Sequence, residues 1–106
     1  MKKSAETSIL GNSPHTVGKE QSTPYGKFQI DWVPAIDAHV LMYEGPAYGG
    51  VICIATHHNG YSCQEIVYRV VKGDFARVKS QLQYIKDCGG MGRNESVFDE
   101  IESHKR

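Results

Sequence analysis

The sequence predicts an α+β domain in which a four-stranded antiparallel sheet, connected as a meander, carries a C-terminal amphipathic helix on one face and a short terminal helix. Three observations support this fold class. The chain has 106 residues, of which 40% are hydrophobic and 23% are charged, as is typical of one globular domain. Apolar residues alternate with polar ones in the middle of the chain and recur at helical spacing in its last third. Short connections between neighbouring elements favour the meander.

The first 24 residues are predicted to form a flexible N-terminal arm. They are rich in Ser, Thr, Gly, Lys and Glu, they include Pro14 and Pro24, and they show no sustained periodicity. The pattern changes at Phe28, where a strand-like alternation begins. Residues 25–106 are therefore predicted to form the single α+β domain.

Two strands are predicted within residues 28–43. Phe28, Ile30 and Trp32 alternate with polar residues, which is the period of a strand with one buried face. Pro34 ends this strand because proline cannot donate a hydrogen bond to a neighbouring strand. The short apolar run over residues 39–43 predicts the second strand.

A β-hairpin is predicted around Asn59-Gly60. The flanking runs 51–58 and 61–71 are rich in β-branched and aromatic residues, and Asn-Gly suits a two-residue turn in which both positions adopt positive φ. Near the open end of this hairpin both faces are largely apolar, so both can be covered there. The two runs are predicted as the third and fourth strands.

Two helices are predicted after the sheet. Asp74 is a suitable N-cap for the first, and Gly89-Gly90 ends it in the usual way. Asn94 can cap a final short helix. The apolar stripe of the longer helix consists of Phe75, Val78, Leu82 and Ile85.

Charge and targeting signals exclude several classes of function. The 12 basic and 12 acidic residues balance, and Arg69 is the one basic residue in 28–71, which argues against nucleic acid as a partner because phosphate binding needs a basic excess. A weak RNA or anion contact through the arm and Arg93 is a third alternative. No segment predicts a signal peptide or a membrane span. The odd number of cysteines favours free thiols in a reducing cytoplasm.

The leading functional hypothesis is a small non-enzymatic binding or regulatory protein. One long helix covers only one face of a sheet that is apolar on both sides, and an uncovered apolar face usually meets a partner. A homodimer is the simplest partner, another protein is the next, and a small-molecule ligand is also compatible. The residues expected to bind are those of a low-charge, Tyr-rich sheet surface: Trp32, Tyr43, Tyr61, Tyr68 and Arg69.

No metal and no cofactor are predicted. Cys53, His57, His58 and Cys63 have the chemistry of zinc ligands. The hairpin register, however, sends Cys53 and His57 to one face and the other two residues to the opposite face. Four ligands divided in this way do not converge on one ion.

The alternative hypothesis is a small enzyme or metal-dependent protein with its site near the 57–63 hairpin turn. In the hairpin, Cys63 and His58 would be diagonal neighbours on one face, where an imidazole could activate the thiol. Asp37 and His39 would share a face of an extended segment, as an acid–imidazole pair does. The catalytic candidates are therefore His57, His58, Cys63, Asp37 and His39.

Overall fold

The computed structural model describes residues 12–46 and 48–103. Within these ranges the chain forms a five-stranded antiparallel sheet and three α-helices, which confirms the predicted α+β class and the meander. The sheet has five strands instead of the predicted four, because two strands were not predicted and one predicted strand is a helix. The strands are neighbours in sequence order: β1 (Glu20–Thr23), β2 (Gly26–Val33), β3 (Ala38–Gly45), β4 (Tyr48–His57) and β5 (Met91–Gly92). The helices are α1 (Gly60–Val71), α2 (Phe75–Asp87) and α3 (Ser96–Ser103), and a 3-10 turn at Pro34–Ile36 joins β2 to β3.

The prediction that residues 61–71 form a strand is wrong, because this run is helix α1. Asn59 adopts φ −98° and ψ 113° instead of the positive φ of a hairpin turn, and its side-chain oxygen accepts the N–H of Tyr61 at 2.9 Å. Asn59 is therefore the N-cap of a helix. Burial of one helical stripe outweighs the β propensity of the run. That stripe includes Cys63, Ile66, Val67 and Val70.

The edge position beside β4 belongs to β5, which lies between the two predicted helices and was not predicted as a strand. Ala55 pairs with Gly92, and Thr56 pairs with Met91. The two predicted helices are present as α2 and α3. The Asp74 side chain accepts a hydrogen bond at the start of α2, as expected of an N-cap. None of the helices within the described ranges is long and apolar enough to cross a membrane.

Part of the segment predicted as a flexible arm is attached to the domain. The Gly18 N–H donates to the carbonyl oxygen of Ile30 at 2.7 Å. The Thr16 hydroxyl donates to the Gln64 side-chain oxygen at 2.5 Å, and β1 pairs with β2. Residues 1–11 of the predicted arm lie outside the described residues.

A β-bulge in β4 decides which side chains face the helices. Leu41 pairs with Ala55, but Met42 pairs with Cys53, so Ile54 is an extra residue in β4. Ile54 and Ala55 are both fully buried as a result. The bulge shifts the alternation of side chains, so Cys53 lies beside Met42 on the face away from the core.

One core fills the space between a single face of the sheet and the helices. Helix α1 contacts β2, β3 and β4, whereas α2 contacts β4 and β5. Tyr43, which was expected to contribute to a binding surface, is fully buried in this core, and its hydroxyl donates to the carbonyl oxygen of Tyr25 at 2.7 Å. Gly26 adopts φ 139°, and a Cβ at this position would lie 2.7 Å from Tyr43 Cε1, so the close approach requires glycine.

Candidate functional site

Three histidines meet where β3 begins and β4 ends. His39 and His57 are paired across the two strands and face the core, where only 0% and 3% of each residue is exposed. His58 follows β4 directly, and its ring stacks on that of His57 with the centroids 4.6 Å apart. The sequence singled out all three residues, and the pairing of β3 with β4 is what brings His39 to the other two.

His39 makes two hydrogen bonds that together define its protonation state. Its Nδ1 lies 2.9 Å from the carbonyl oxygen of His58, and its Nε2 lies 2.5 Å from the hydroxyl oxygen of Ser13. A carbonyl oxygen only accepts, so Nδ1 carries the hydrogen and Nε2 accepts the Ser13 hydroxyl. Burial lowers the pKa of His39 below its ordinary value. The ring is therefore neutral at neutral pH.

Neighbouring residues pack closely around the His39 ring. The Trp32 ring lies against it with a centroid distance of 4.8 Å, so this predicted binding residue is half-buried and serves to position a histidine. A Cβ at Gly60 would lie 2.8 Å from His39 Cδ2 and 2.7 Å from Pro14 Cδ. The first residue of α1 must therefore be glycine for the helix to begin beside this ring.

His57 has a buried nitrogen without a partner. The backbone N–H of Asn59 donates to Nδ1 at 3.1 Å, and the carbonyl oxygen of the same residue lies 3.4 Å from Nδ1. The shorter of the two contacts favours the neutral ring with its hydrogen on Nε2. That Nε2 is buried and finds no acceptor among the described residues. Burial also lowers the pKa of His57, because charging the ring would place a cation in the core. The Tyr84 ring lies 6.3 Å away, centroid to centroid.

The structure does not bring the other predicted catalytic pairs together. Cys63 is fully buried on α1, and burial raises the pKa of its thiol to about 12. The thiol is therefore protonated at neutral pH, and no hydrogen bond joins it to His58, which is exposed. Asp37 is exposed in the turn before β3 with φ 52°, and within the described ranges its side chain makes no hydrogen bond or ion pair with His39.

No metal centre is assembled by the described residues, since no three of their His, Cys, Asp and Glu side chains are grouped to hold an ion. The bulge in β4 turns Cys53 away from the histidines. Burial raises the pKa of the Cys53 thiol as well.

The predicted binding residues of the run 61–71 lie on a helical surface and not on the sheet. Tyr61 and Tyr68 are seven positions apart on α1, so they occupy the same outer stripe, and each is 52% exposed. Arg69 lies beside them and forms an ion pair of 2.6 Å with Glu65. A groove of about 360 Å³ lies between Arg69 of α1 and side chains of α2. It is lined by Arg69, Arg77, Ser80, Gln81 and Tyr84.

The uncovered face of the sheet is more polar than the sequence suggested. Its groove of about 270 Å³ has apolar and aromatic lining from Phe28, Met42, Tyr43 and Val51, and charged and amide side chains form the rest of the lining. Lys27 and Glu20 form an exposed ion pair of 3.6 Å across it. The apolar patch expected on this face is therefore divided by polar groups: Glu20, Lys27, Gln29, Asp31 and Glu44.

Several residues of these sites were missed by sequence reasoning: Ser13, Arg77, Ser80, Gln81 and Tyr84. Ser13 lies in the segment predicted as an arm, and nothing in its local sequence indicates a contact 26 positions away. Tyr84 lies outside the apolar stripe of α2. Its position off this stripe is the one feature of the sequence that indicates an exposed ring. The chain matches no protein-family model, no curated protein and no solved structure. The functional argument therefore rests on the sites themselves.

Proposed function

We propose that this protein is a binding protein that associates with a second copy of itself through the surface shared by α1 and α2. This surface, the α1–α2 face, comprises Tyr61, Tyr68, Arg69, Arg77, Gln81 and Tyr84. The observation that carries the proposal is the exposure of three tyrosines on the two helices, of which Tyr84 lines the groove.

The tyrosines supply the apolar area that an interface needs. Tyr61, Tyr68 and Tyr84 are each about half exposed, although each ring could have packed against the helices. Tyrosine and arginine are among the residues that most often dominate binding energy. A tyrosine also buries a large area at a small loss of side-chain freedom. The groove also gives a partner's aromatic ring two guanidinium groups on which to stack.

The charges of the face complement themselves. Glu65 pairs with Arg69 on α1, and Asp74 pairs with Arg77 at 3.3 Å at the start of α2. Each arginine thus has a carboxylate beside it. In a two-fold dimer the same patch meets itself, so neighbouring charges of both signs can exchange partners across the interface. This supports a second copy over a strongly charged partner.

The cysteines are compatible with a reducing compartment such as the cytoplasm. Cys53, Cys63 and Cys88 are free, and Cys88 is exposed. An exposed free thiol persists where disulfides are kept reduced.

The experiment is light scattering coupled to size exclusion, run from low micromolar to near-millimolar chain. We expect the mass of two chains at high concentration. Replacing Tyr61 and Tyr68 by alanine together should weaken the dimer by about thirtyfold or more, as the loss of interface hot spots does. Tyr48→Ala is the matched control, because Tyr48 is 47% exposed but lies at the start of β4. A monomer at every concentration, or equal effects of both changes, contradicts the proposal.

A charge exchange separates self-association from binding to another protein. Arg69→Glu and Glu65→Arg should each weaken the dimer, because each puts like charges opposite one another across the two-fold axis. The double variant restores both the ion pair on α1 and the complementarity between copies. Dimerisation that does not recover in the double variant argues against a second copy as the partner.

A further inference from the structure

We propose that this chain has an activity beyond binding, in which Ser13 is a nucleophile toward small carboxylic esters and His39 is its general base. This site lies at the β3–β4 end of the sheet and does not depend on the dimer. It uses one residue that the sequence predicted as catalytic and one that it did not.

The geometry is that of a nucleophile, a base and an orienting group. Ser13 Oγ is 2.5 Å from Nε2 of His39, and the carbonyl oxygen of His58 is 2.9 Å from Nδ1 of the same ring. A carbonyl on Nδ1 keeps Nε2 free of hydrogen, so Nε2 is ready to take the serine proton. The ring cannot turn away, because Trp32 and Gly60 pack against it.

Anchoring the N-terminal segment does not explain the Ser13–His39 contact. Two other bonds already tie this segment to the domain, one from Thr16 to Gln64 and one from Gly18 to Ile30. Ser13 is moreover only half-buried, whereas His39 is fully buried. A reactant can thus approach the hydroxyl from the side that faces solvent.

The start of α1 completes the site and limits the substrate. The N–H groups of Asn59 and Tyr61 bond to side chains, so within the described residues the first-turn donor left beside His39 is the N–H of Gly60. A backbone N–H at a helix N-terminus stabilises a developing oxyanion. A single added carbon at Gly60 would collide with Pro14 and His39. This side of the ring is therefore filled, so a substrate has to be small and has to lie on the half-exposed side of Ser13.

The reaction is an acyl transfer followed by hydrolysis. Ser13 Oγ bonds to the ester carbonyl carbon as its proton passes to His39 Nε2. The bond to the leaving alcohol then breaks, and Nε2 returns the proton to that alcohol oxygen, which leaves acylated Ser13. Water attacks the acyl carbon while Nε2 takes one of its protons. The carboxylic acid departs as that proton returns to Ser13 Oγ.

The first test is hydrolysis of p-nitrophenyl acetate by the full chain. We expect release of p-nitrophenol above buffer, an acetyl group on Ser13 in acid-quenched peptide maps, and a loss of about a hundredfold in Ser13→Ala. Ser22→Ala is the control, since Ser22 is an exposed serine of β1. Because any histidine can cleave this ester slowly, release of p-nitrophenol alone does not identify Ser13 as the nucleophile. If Ser13→Ala hydrolyses the ester at the wild-type rate, the proposal is overturned.

The second test asks whether His39 acts as a base without relying on a chosen substrate. Ser13→Cys places a thiol against Nε2, and an imidazole partner favours the thiolate. That thiol should react with iodoacetamide at about pH 6.5 at least about tenfold faster than the thiol of Ser22→Cys. Peptide mapping distinguishes the two introduced cysteines from the native ones. Equal rates overturn the proposal, even if ester hydrolysis is observed.

Discussion

Gln21 and Gln64 exchange two side-chain hydrogen bonds, of 2.9 and 2.8 Å, across 43 positions of sequence. One residue belongs to β1 and the other to α1, so the pair fastens the first strand to the first helix. Gln64 is buried, with 2% of the residue exposed, and Thr16 donates a third hydrogen bond to its oxygen. A buried amide is tolerated here because it is paired.

Replacing Gln21 by alanine should destabilise the fold. The Gln64 oxygen would keep the Thr16 hydroxyl, but the Gln64 amide nitrogen would lose its acceptor inside the protein. We expect the free energy of unfolding to fall by about 1–3 kcal/mol, measured by urea denaturation. Gln83→Ala serves as the control, because its bond to Asp87 is exposed. Equal losses in the two variants would mean that the Gln21–Gln64 pair is not a special anchor.

The N-cap at Asn59 can be tested by substitution. Asn59→Ala removes the acceptor for the Tyr61 N–H, and we expect a loss of about 1 kcal/mol in the free energy of unfolding. Asn59→Gly should be tolerated better, since glycine at an N-cap costs only about a few tenths of a kcal/mol more than asparagine. Urea denaturation followed by circular dichroism gives the free energy of unfolding of both variants. Greater damage from glycine than from alanine would argue against the cap.

Stability should fall as the solution becomes acidic. Burial lowers the pKa values of His39 and His57 in the folded state, so the unfolded chain binds more protons below the ordinary histidine pKa. The free energy of unfolding is then constant above about pH 7 and decreases from there toward the lowered pKa values, by up to about 1.4 kcal/mol per pH unit for each ring.

The contribution of His57 to the pH dependence of the free energy of unfolding can be measured by substitution. His57→Gln keeps an acceptor near Asn59 but removes one titrating ring, so urea denaturation at several pH values should show a shallower decrease. His15→Gln is the matched control, because His15 is exposed in the segment before β1 and not buried in the core. An unchanged slope in His57→Gln would show that His57 does not titrate on unfolding.

The native thiols should differ sharply in reactivity. Cys63 is fully buried with its pKa raised to about 12, whereas Cys88 is exposed after α2. At about pH 8, iodoacetamide should modify Cys88 first and Cys63 only through unfolding. Mass spectrometry of timed samples reports both. Modification of Cys63 as fast as Cys88 in the folded chain would contradict the buried position.

The elements that the sequence predicted correctly are those with one dominant signal. The stripe of α2 and its Asp74 cap belong to this group, as do β2, β3 and β4. The run 61–71 misled because Asn-Gly serves both a tight turn and a helix start, and because its valines and isoleucine fit a strand as well as a buried helical stripe. Only tertiary packing decides between the two.

The candidate site was predictable only in part. Its histidines are visible in the sequence, but Ser13 reaches His39 through a fold that links an N-terminal segment to β3. The bulge at Ile54 also changed which residues share a face, and no pattern marks it. Contacts between distant segments follow from packing of the whole domain, which local spacing does not encode.

The hydrogen bonds that follow β5 have a consequence for how the chain behaves at high concentration. The segment Val51–Ala55 is rich in β-branched residues and has no charge, which is the composition that favours fibril formation from an exposed edge. The Asn94 side chain donates to the carbonyl oxygen of Cys53, and the Arg93 N–H donates to that of Ile54. These two bonds occupy carbonyl oxygens with which an added strand would pair. The turn before α3 therefore opposes pairing of this edge with a strand of another chain.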